Sequence, residues 1–197
     1  EISRCDWSSD VCSSDLLFQT VSIASTTGFA SSDFNLWPDF SRYVLLLLMF
    51  VGGCSGSTAG GMKVSRFVIL LKVTWAELRR TIHPRLVYSI KMGGRNVPPV
   101  VVGNVTRFFY LYMIVFSTLT LLISLTGLSM LDSMGIIAAC MSSVGPAFGI
   151  VGPTATYADV STFGRLVVIA AMILGRLEIF TLLIIMRPDF WRVKRNW

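Results

Sequence analysis

LDSMGIIAACMSSVGPAFGIVGP, residues 131–153, is the stretch that decides the fold class. Its first part, residues 131–141, is apolar but only about 11 residues long, roughly half of what a bilayer crossing needs. Its second part, residues 142–153, is rich in glycine, proline and small residues, which do not extend a helix. A short apolar helix followed by a glycine-rich return is tolerated at membrane depth only where it lines an aqueous path. The expectation is a re-entrant segment: a half-helix that dips into a membrane and an irregular loop that leads back out.

The flanking sequence agrees. Residues 108–125 and 163–186 each approach or exceed the roughly 18–20 apolar residues of a spanning helix. Composition points the same way: the chain is 53% hydrophobic and 14% charged, with mean hydropathy +0.68. Soluble domains sit near 45–50% apolar and about 25% charged. The net charge of +6 is clustered. Lys72, Arg79, Arg80, Arg85, Lys91, Arg95 and Arg107 are opposed only by Glu77, and Arg187, Arg192, Lys194 and Arg195 only by Asp189. Basic clusters flanking apolar spans read as the cytoplasmic side of a membrane protein rather than as a nucleic-acid surface. Residues 108–186 then start and end on that side and cross the bilayer an even number of times. The loop 76–107 and the C-terminus are expected in the cytoplasm.

An earlier stretch repeats the pattern. Residues 17–24 form the tail of a short apolar helix and lead into Ser25-Thr26-Thr27-Gly28. Setting Gly28 against Gly145 pairs Ser25 with Ser142, Thr26 with Ser143 and Thr27 with Val144. Each unit continues through a polar stretch into a long apolar segment, an internal repeat by order of parts. Upstream, residues 6–16 read DWSSDVCSSDL, a stretch without amphipathic period. It has the form of a translated sequencing adapter joined in frame, so residues 1–16 are expected to be foreign and the natural chain to extend upstream of Leu17. Cys5 and Cys12 are set aside for that reason. Cys54 and Cys140 lie in apolar stretches and suggest neither a disulfide nor a metal site.

The long segment of the first unit is interrupted. Residues 40–51 are apolar, residues 52–61 read GGCSGSTAGG, and an apolar run interrupted by Lys63, Ser65, Arg66 and Lys72 resumes over 62–75. Each glycine costs a helix roughly 1 kcal/mol, so the helix is expected to break at mid-span. Close helix packing through Gly52, Gly56 and Gly60 is the plainer alternative, but ten small residues in a row exceed what packing requires. Between the units, residues 87–92 and 95–97 flank Gly93-Gly94, a two-residue hairpin turn. Pro98 and Pro99 stand where a helix would begin.

Stripping a cation of its water requires oxygen dipoles in its place. Backbone carbonyls supply them where side chains are small and glycine lets the chain turn. Both tetrapeptides have that composition, and each follows a short helix whose negative dipole end points at them. Arg176 stands out separately: it lies about 16 Å along a helix before Arg187, at a depth where a charge costs roughly 2.5–3.5 kcal/mol. Glu178, two residues on, points away from it. Lys63 reads either as a cation of the glycine-rich loop or as a snorkelling side chain, and His83 as a plain loop residue.

FQTVSIASTTGF (18–29), GGCSGSTAGGMKVSR (52–66), SSVGPAFG (142–149) and GRLEIFTLL (175–183) together resemble the Trk/Ktr/HKT potassium transporter superfamily, nearest its TrkH branch. The resemblance implies an all-α polytopic membrane protein of helix–pore loop–helix repeats, with re-entrant half-helices and one glycine-broken transmembrane helix. Residues 17–75 would be a partial third repeat, 76–107 a basic cytoplasmic loop, and 108–197 the fourth repeat and tail. It implies potassium uptake across the bacterial inner membrane, with potassium as substrate and no cofactor. Gly28 and Gly145 would be filter glycines, with Ser25, Thr26, Thr27, Ser143 and Val144 beside them and the carbonyls of Thr26, Thr27, Ser143 and Val144 meeting the ion. Residues 52–61, with Gly52, Gly53, Gly56, Gly60 and Gly61, would form a loop obstructing the pore, with Lys63 at its edge. Arg176 would face that loop and is the first candidate to hold it. A homodimer served by a cytoplasmic nucleotide-binding subunit of TrkA type is implied as well.

Other classes fit less well. Gly60-Gly61-Met62-Lys63 lacks the spacing of a phosphate-binding loop, the glycines around Ser55 and Ser57 miss the hydrolase elbow, and no protease dyad lies in the spans. An ion-coupled secondary transporter with a midplane site at broken helices is the runner-up. It calls for acidic residues within the spans, where only Glu178 qualifies.

Overall fold

A computed structural model describes residues 13–54, 56–57, 59–83 and 89–177. Helix α1 (Ser13–Ala24) leads through a 3-10 turn (Phe34–Leu36) to α2 (Asp39–Phe50). Strands β1 (Val51–Gly52) and β2 (Met62–Lys63) bracket the glycine-rich stretch, and α3 (Val64–Ile82) follows. A small hairpin of β3 (Lys91–Met92) and β4 (Arg95–Asn96) precedes α4 (Pro99–Ser124), α5 (Met130–Met141) and α6 (Thr162–Arg176). Two further 3-10 turns, Gly149–Val151 and Tyr157–Asp159, lie between α5 and α6.

Helix α5 is the centre. Ser133 and every residue from Gly135 to Met141 are buried, as expected of a helix apolar on all sides and enclosed by others. It packs against α2, α4 and α6. Its start is fixed by Ser129, whose hydroxyl accepts from the Asp132 amide at 3.1 Å, a side-chain cap of the preferred type. Phe148, just past α5, meets Phe34 of the first unit edge-on at 5.3 Å. Phe50 at the end of α2 stands edge-on to Phe116 of α4 at 5.0 Å. The two units therefore share one apolar core.

Helix α4 has 26 residues, about 39 Å at 1.5 Å per residue. Among the described residues it is the one helix long and apolar enough to cross a membrane by length and composition. It begins well before Phe108 because Pro99 sits at its first turn, where the missing N–H costs nothing. The break between α2 and α3 coincides with the glycine-rich stretch. Its ends are joined as a parallel pair, Val51 opposite Met62 and Gly52 opposite Lys63, a closure the sequence did not announce. The hairpin pairs Lys91 with Asn96 and Met92 with Arg95. Gly93 and Gly94 have φ of +56° and +79°, both left-handed as its turn requires.

Helix α1 reaches back to Ser13, so helical structure begins ahead of Leu17. Residues 1–12, 84–88 and 178–197 lie outside the described set. So, therefore, do Arg85, Glu178, the C-terminal basic tail and the far end of the expected last span, residues 178–186.

Candidate functional site

The two short helices end in the same way. In the first, the amides of Ser25, Thr26 and Thr27 donate to the carbonyls of Val21, Ile23 and Ser22 at 2.9, 3.0 and 2.9 Å. In the second, those of Ser142, Ser143 and Val144 donate to Ala138, Cys140 and Ala139 at 3.0, 3.2 and 2.9 Å. This is a Schellman cap repeated residue for residue. Its left-handed position carries Thr26 and Ser143, each with φ +57°, rather than glycine. A β-branched threonine there is a genuine outlier, and such strain costs on the order of 1–3 kcal/mol and gathers at functional sites. Gly28 (φ +77°) and Gly145 (φ +104°) follow two residues later, so the pairing of the tetrapeptides drawn from sequence is also a pairing of backbones.

The loops touch. A Cβ at Gly28 would collide with the Val144 carbonyl oxygen, whereas one at Gly145 would meet nothing within 4 Å among the described residues. Hydrogen bonds fix the surroundings. Ser22 Oγ donates to the Phe29 carbonyl at 2.6 Å, and the Ser25 and Thr27 hydroxyls lie 2.6 Å apart. Asn35 joins the units: its Nδ2 donates to the Gly149 carbonyl at 3.3 Å and its Oδ1 accepts from the Gly149 amide at 3.0 Å. Gly152 has no side chain because Asn35 occupies that space. In the second unit Tyr157 Oη donates to the Gly145 carbonyl at 2.7 Å. Neither Asn35 nor Tyr157 emerged from the sequence; each stands in a polar return, beside Ser31, Ser32 and Asp33 in the first unit and Thr154, Thr156 and Asp159 in the second, and nothing local sets it apart.

The glycine-rich loop lies directly against the second of these loops. A Cβ at Gly60 would strike the Ser142 carbonyl, and one at Gly52 the Gly60 carbonyl. On the other side Gly175 is packed on the Met141 carbonyl, so the end of α6 and the loop meet at the C-terminus of α5. Between them is a cavity of about 440 Å³ lined by Gly56, Ser57, Ala59, Gly60, Gly61, Lys63, Arg66, Phe108, Tyr112, Leu174, Gly175 and Arg176. Arg176 and the loop thus share one cavity. Lys63 bonds to the loop itself: its Nζ donates to the carbonyls of Ser57 at 2.8 Å and Ala59 at 2.7 Å. Arg66 lies over the Phe108 ring, 4.2 Å from its centroid. Gly53 packs against Ser57 and Ala59 inside the loop. Among the described residues no cluster of three or more His, Cys, Asp or Glu could hold a metal ion.

The TrkH family, described as cation transport protein, matches residues 11–192. The chain belongs to this family. The "Trk system potassium uptake protein TrkH" of Vibrio parahaemolyticus is 46% identical over 176 residues, covering 89% of this chain and 36% of that protein. The Escherichia coli K12 protein of the same name is 40% identical over 192 residues, covering 94% of this chain and 39% of that one. The crystal structure of the potassium transporter TrkH from Vibrio parahaemolyticus superposes with a TM-score of 0.81 at 45% identity, over 89% of this chain and 37% of that one. This TrkH-family chain therefore has the helical fold of a membrane transporter, and it spans little more than a third of the length of these relatives.

Proposed function

We propose that this chain supplies two neighbouring segments of a potassium pathway across the bacterial inner membrane. The observation that carries the reading is the pair of identically capped loops in contact, Gly28 against Val144, with Gly60 of the glycine-rich loop pressed beneath Ser142. The carbonyls of Thr26, Thr27, Ser143 and Val144 would replace the water of a potassium ion. The short helices α1 and α5 would direct their negative ends at it. Relatives named as potassium uptake proteins support potassium as the cargo. Ion-coupled transport through a midplane carboxylate is less favoured, because it calls for several acidic residues within the spans, where Glu178 alone qualifies.

The loop 52–61 would be the barrier below the filter. Glycine has little conformational preference, so side chains must keep the loop in place. Lys63 does so through two carbonyls, and Arg176 adds a permanent positive charge to the same cavity that opposes cations. The basic loop 76–107 would face the cytoplasm as the docking surface for a nucleotide-binding regulatory subunit, and the assembled transporter would be a homodimer.

Potassium flux through the full-length protein tests the barrier. Deleting residues 55–60 should raise basal flux per folded protein, as should Arg176→Ala. The two together should give less than the sum, because they release one obstruction. Flux at or below wild type in Arg176→Ala, at equal amounts of folded protein, would remove Arg176 from the barrier.

A further inference from the structure

Among the described residues nothing lies within 4 Å of where a Gly145 Cβ would stand. Its φ of +104° is one that glycine adopts but does not enforce. Its peptide is held by a hydrogen bond instead, since Tyr157 Oη donates to the Gly145 carbonyl at 2.7 Å. Behind the hydroxyl, Cys140 Sγ lies 3.5 Å away on a residue buried in the last turn of α5. A phenol has one hydrogen. With it committed to Gly145, the contact with Cys140 runs from thiol to phenol oxygen. The chain Cys140, Tyr157, Gly145 therefore ties the end of the second short helix to the loop that follows it.

The first unit fixes its loop differently. Gly28 is wedged against Val144, and Ser22 holds the Phe29 carbonyl from within α1. In the pairing of Gly28 with Gly145, the position matching Ser22 is Ala139, which has no hydroxyl. Tyr157 reaches from the 3-10 turn Tyr157–Asp159 to brace the second loop at a different carbonyl, that of Gly145, one position before the counterpart of Phe29.

We propose that Tyr157 is a positioning residue for ion selectivity, holding the Gly145 peptide so that the adjoining Val144 carbonyl keeps its heading. The proposal rests on the reading of the Gly145 loop as part of a potassium filter. Tyr157 acts through the backbone and does not itself touch the ion.

The test measures the potassium-to-sodium permeability ratio of the full-length transporter in vesicles, at matched amounts of folded protein. Three variants are compared: Tyr157→Phe, Cys140→Ala and Gly28→Ala. Tyr157→Phe keeps the ring and removes the bond. It should lower the ratio roughly two- to tenfold, the range that the net loss of one hydrogen bond converts to. Cys140→Ala should lower it less, in the same direction, and decides the matter alone if Tyr157→Phe does not reach the membrane. A ratio unchanged in both, with Gly28→Ala lowering it, overturns the role of Tyr157 and leaves the filter reading standing. A ratio unchanged in all three removes the filter reading, and the proposal with it.

Discussion

The two loops share a backbone and differ in what surrounds it. Each follows a short helix closed by the same cap, and each carries a non-glycine residue at φ +57° with a glycine two positions on. Yet Gly28 has the carbonyl of the other loop where its side chain would be, while among the described residues nothing lies within 4 Å of that position at Gly145. Ser22 braces the first loop from its own helix, and Tyr157 braces the second from a turn 12 residues beyond Gly145. A backbone geometry can thus be repeated while the forces that impose it are not. The first copy is braced from within its own helix, the second by a tether from beyond it.

That contrast orders the effects of substitution. Gly28→Ala should be the most damaging, because the added methyl meets a carbonyl that cannot move away and the left-handed φ disfavours it as well. Overpacking of this kind costs about 1–3 kcal/mol on top of the backbone strain. Potassium preference over sodium should fall by more than roughly tenfold, read as the permeability ratio of the full-length protein. Gly145→Ala should be milder, since only the φ of +104° resists it. The ratio should still fall, and an unchanged value would take Gly145 out of the filter. Should Gly145→Ala prove worse than Gly28→Ala, the open face of Gly145 must be filled in the full-length protein. Ser22→Ala should have the smallest effect. It removes one bond, about 1 kcal/mol net, while the Gly28 contact remains. A selectivity loss equal to that of Gly28→Ala would mean that the first loop is tethered too, and the contrast would be lost.

Much of this was legible in the sequence because it depends on local composition. The apolar run before Ser142 is too short to span a bilayer, and α5 ends at Met141, where that run ends. Ten small residues cannot sustain a helix, and α2 stops at Phe50 just ahead of them. The matching of Thr26 with Ser143 followed from aligning two glycines, and the φ values agree with it. What the sequence withheld is non-local. Asn35 and Gly149 are 114 residues apart, and no periodicity relates them. The parallel pairing of Val51 with Met62 depends on two helix ends being brought together by α4 and α5. Lys63 was ambiguous for the same reason: whether its ammonium faces loop carbonyls or the surface is decided by the curl of the loop around it.

That pairing at the base of the glycine-rich loop has a consequence for how the segment can change over time. With β1 and β2 joined, the span between the helix ends is set by the clasp and not by the number of residues in the excursion. Lengthening a flexible excursion costs little, about 0.6 kcal/mol for each doubling. Gly56, near the tip, has nothing within 4 Å of its would-be side chain. Residues can therefore be gained or lost at the tip without altering the rotation of α3 relative to α2, or anything that α3 touches. The clasp makes the excursion a module whose length and chemistry can drift while the scaffold that displays it stays in register.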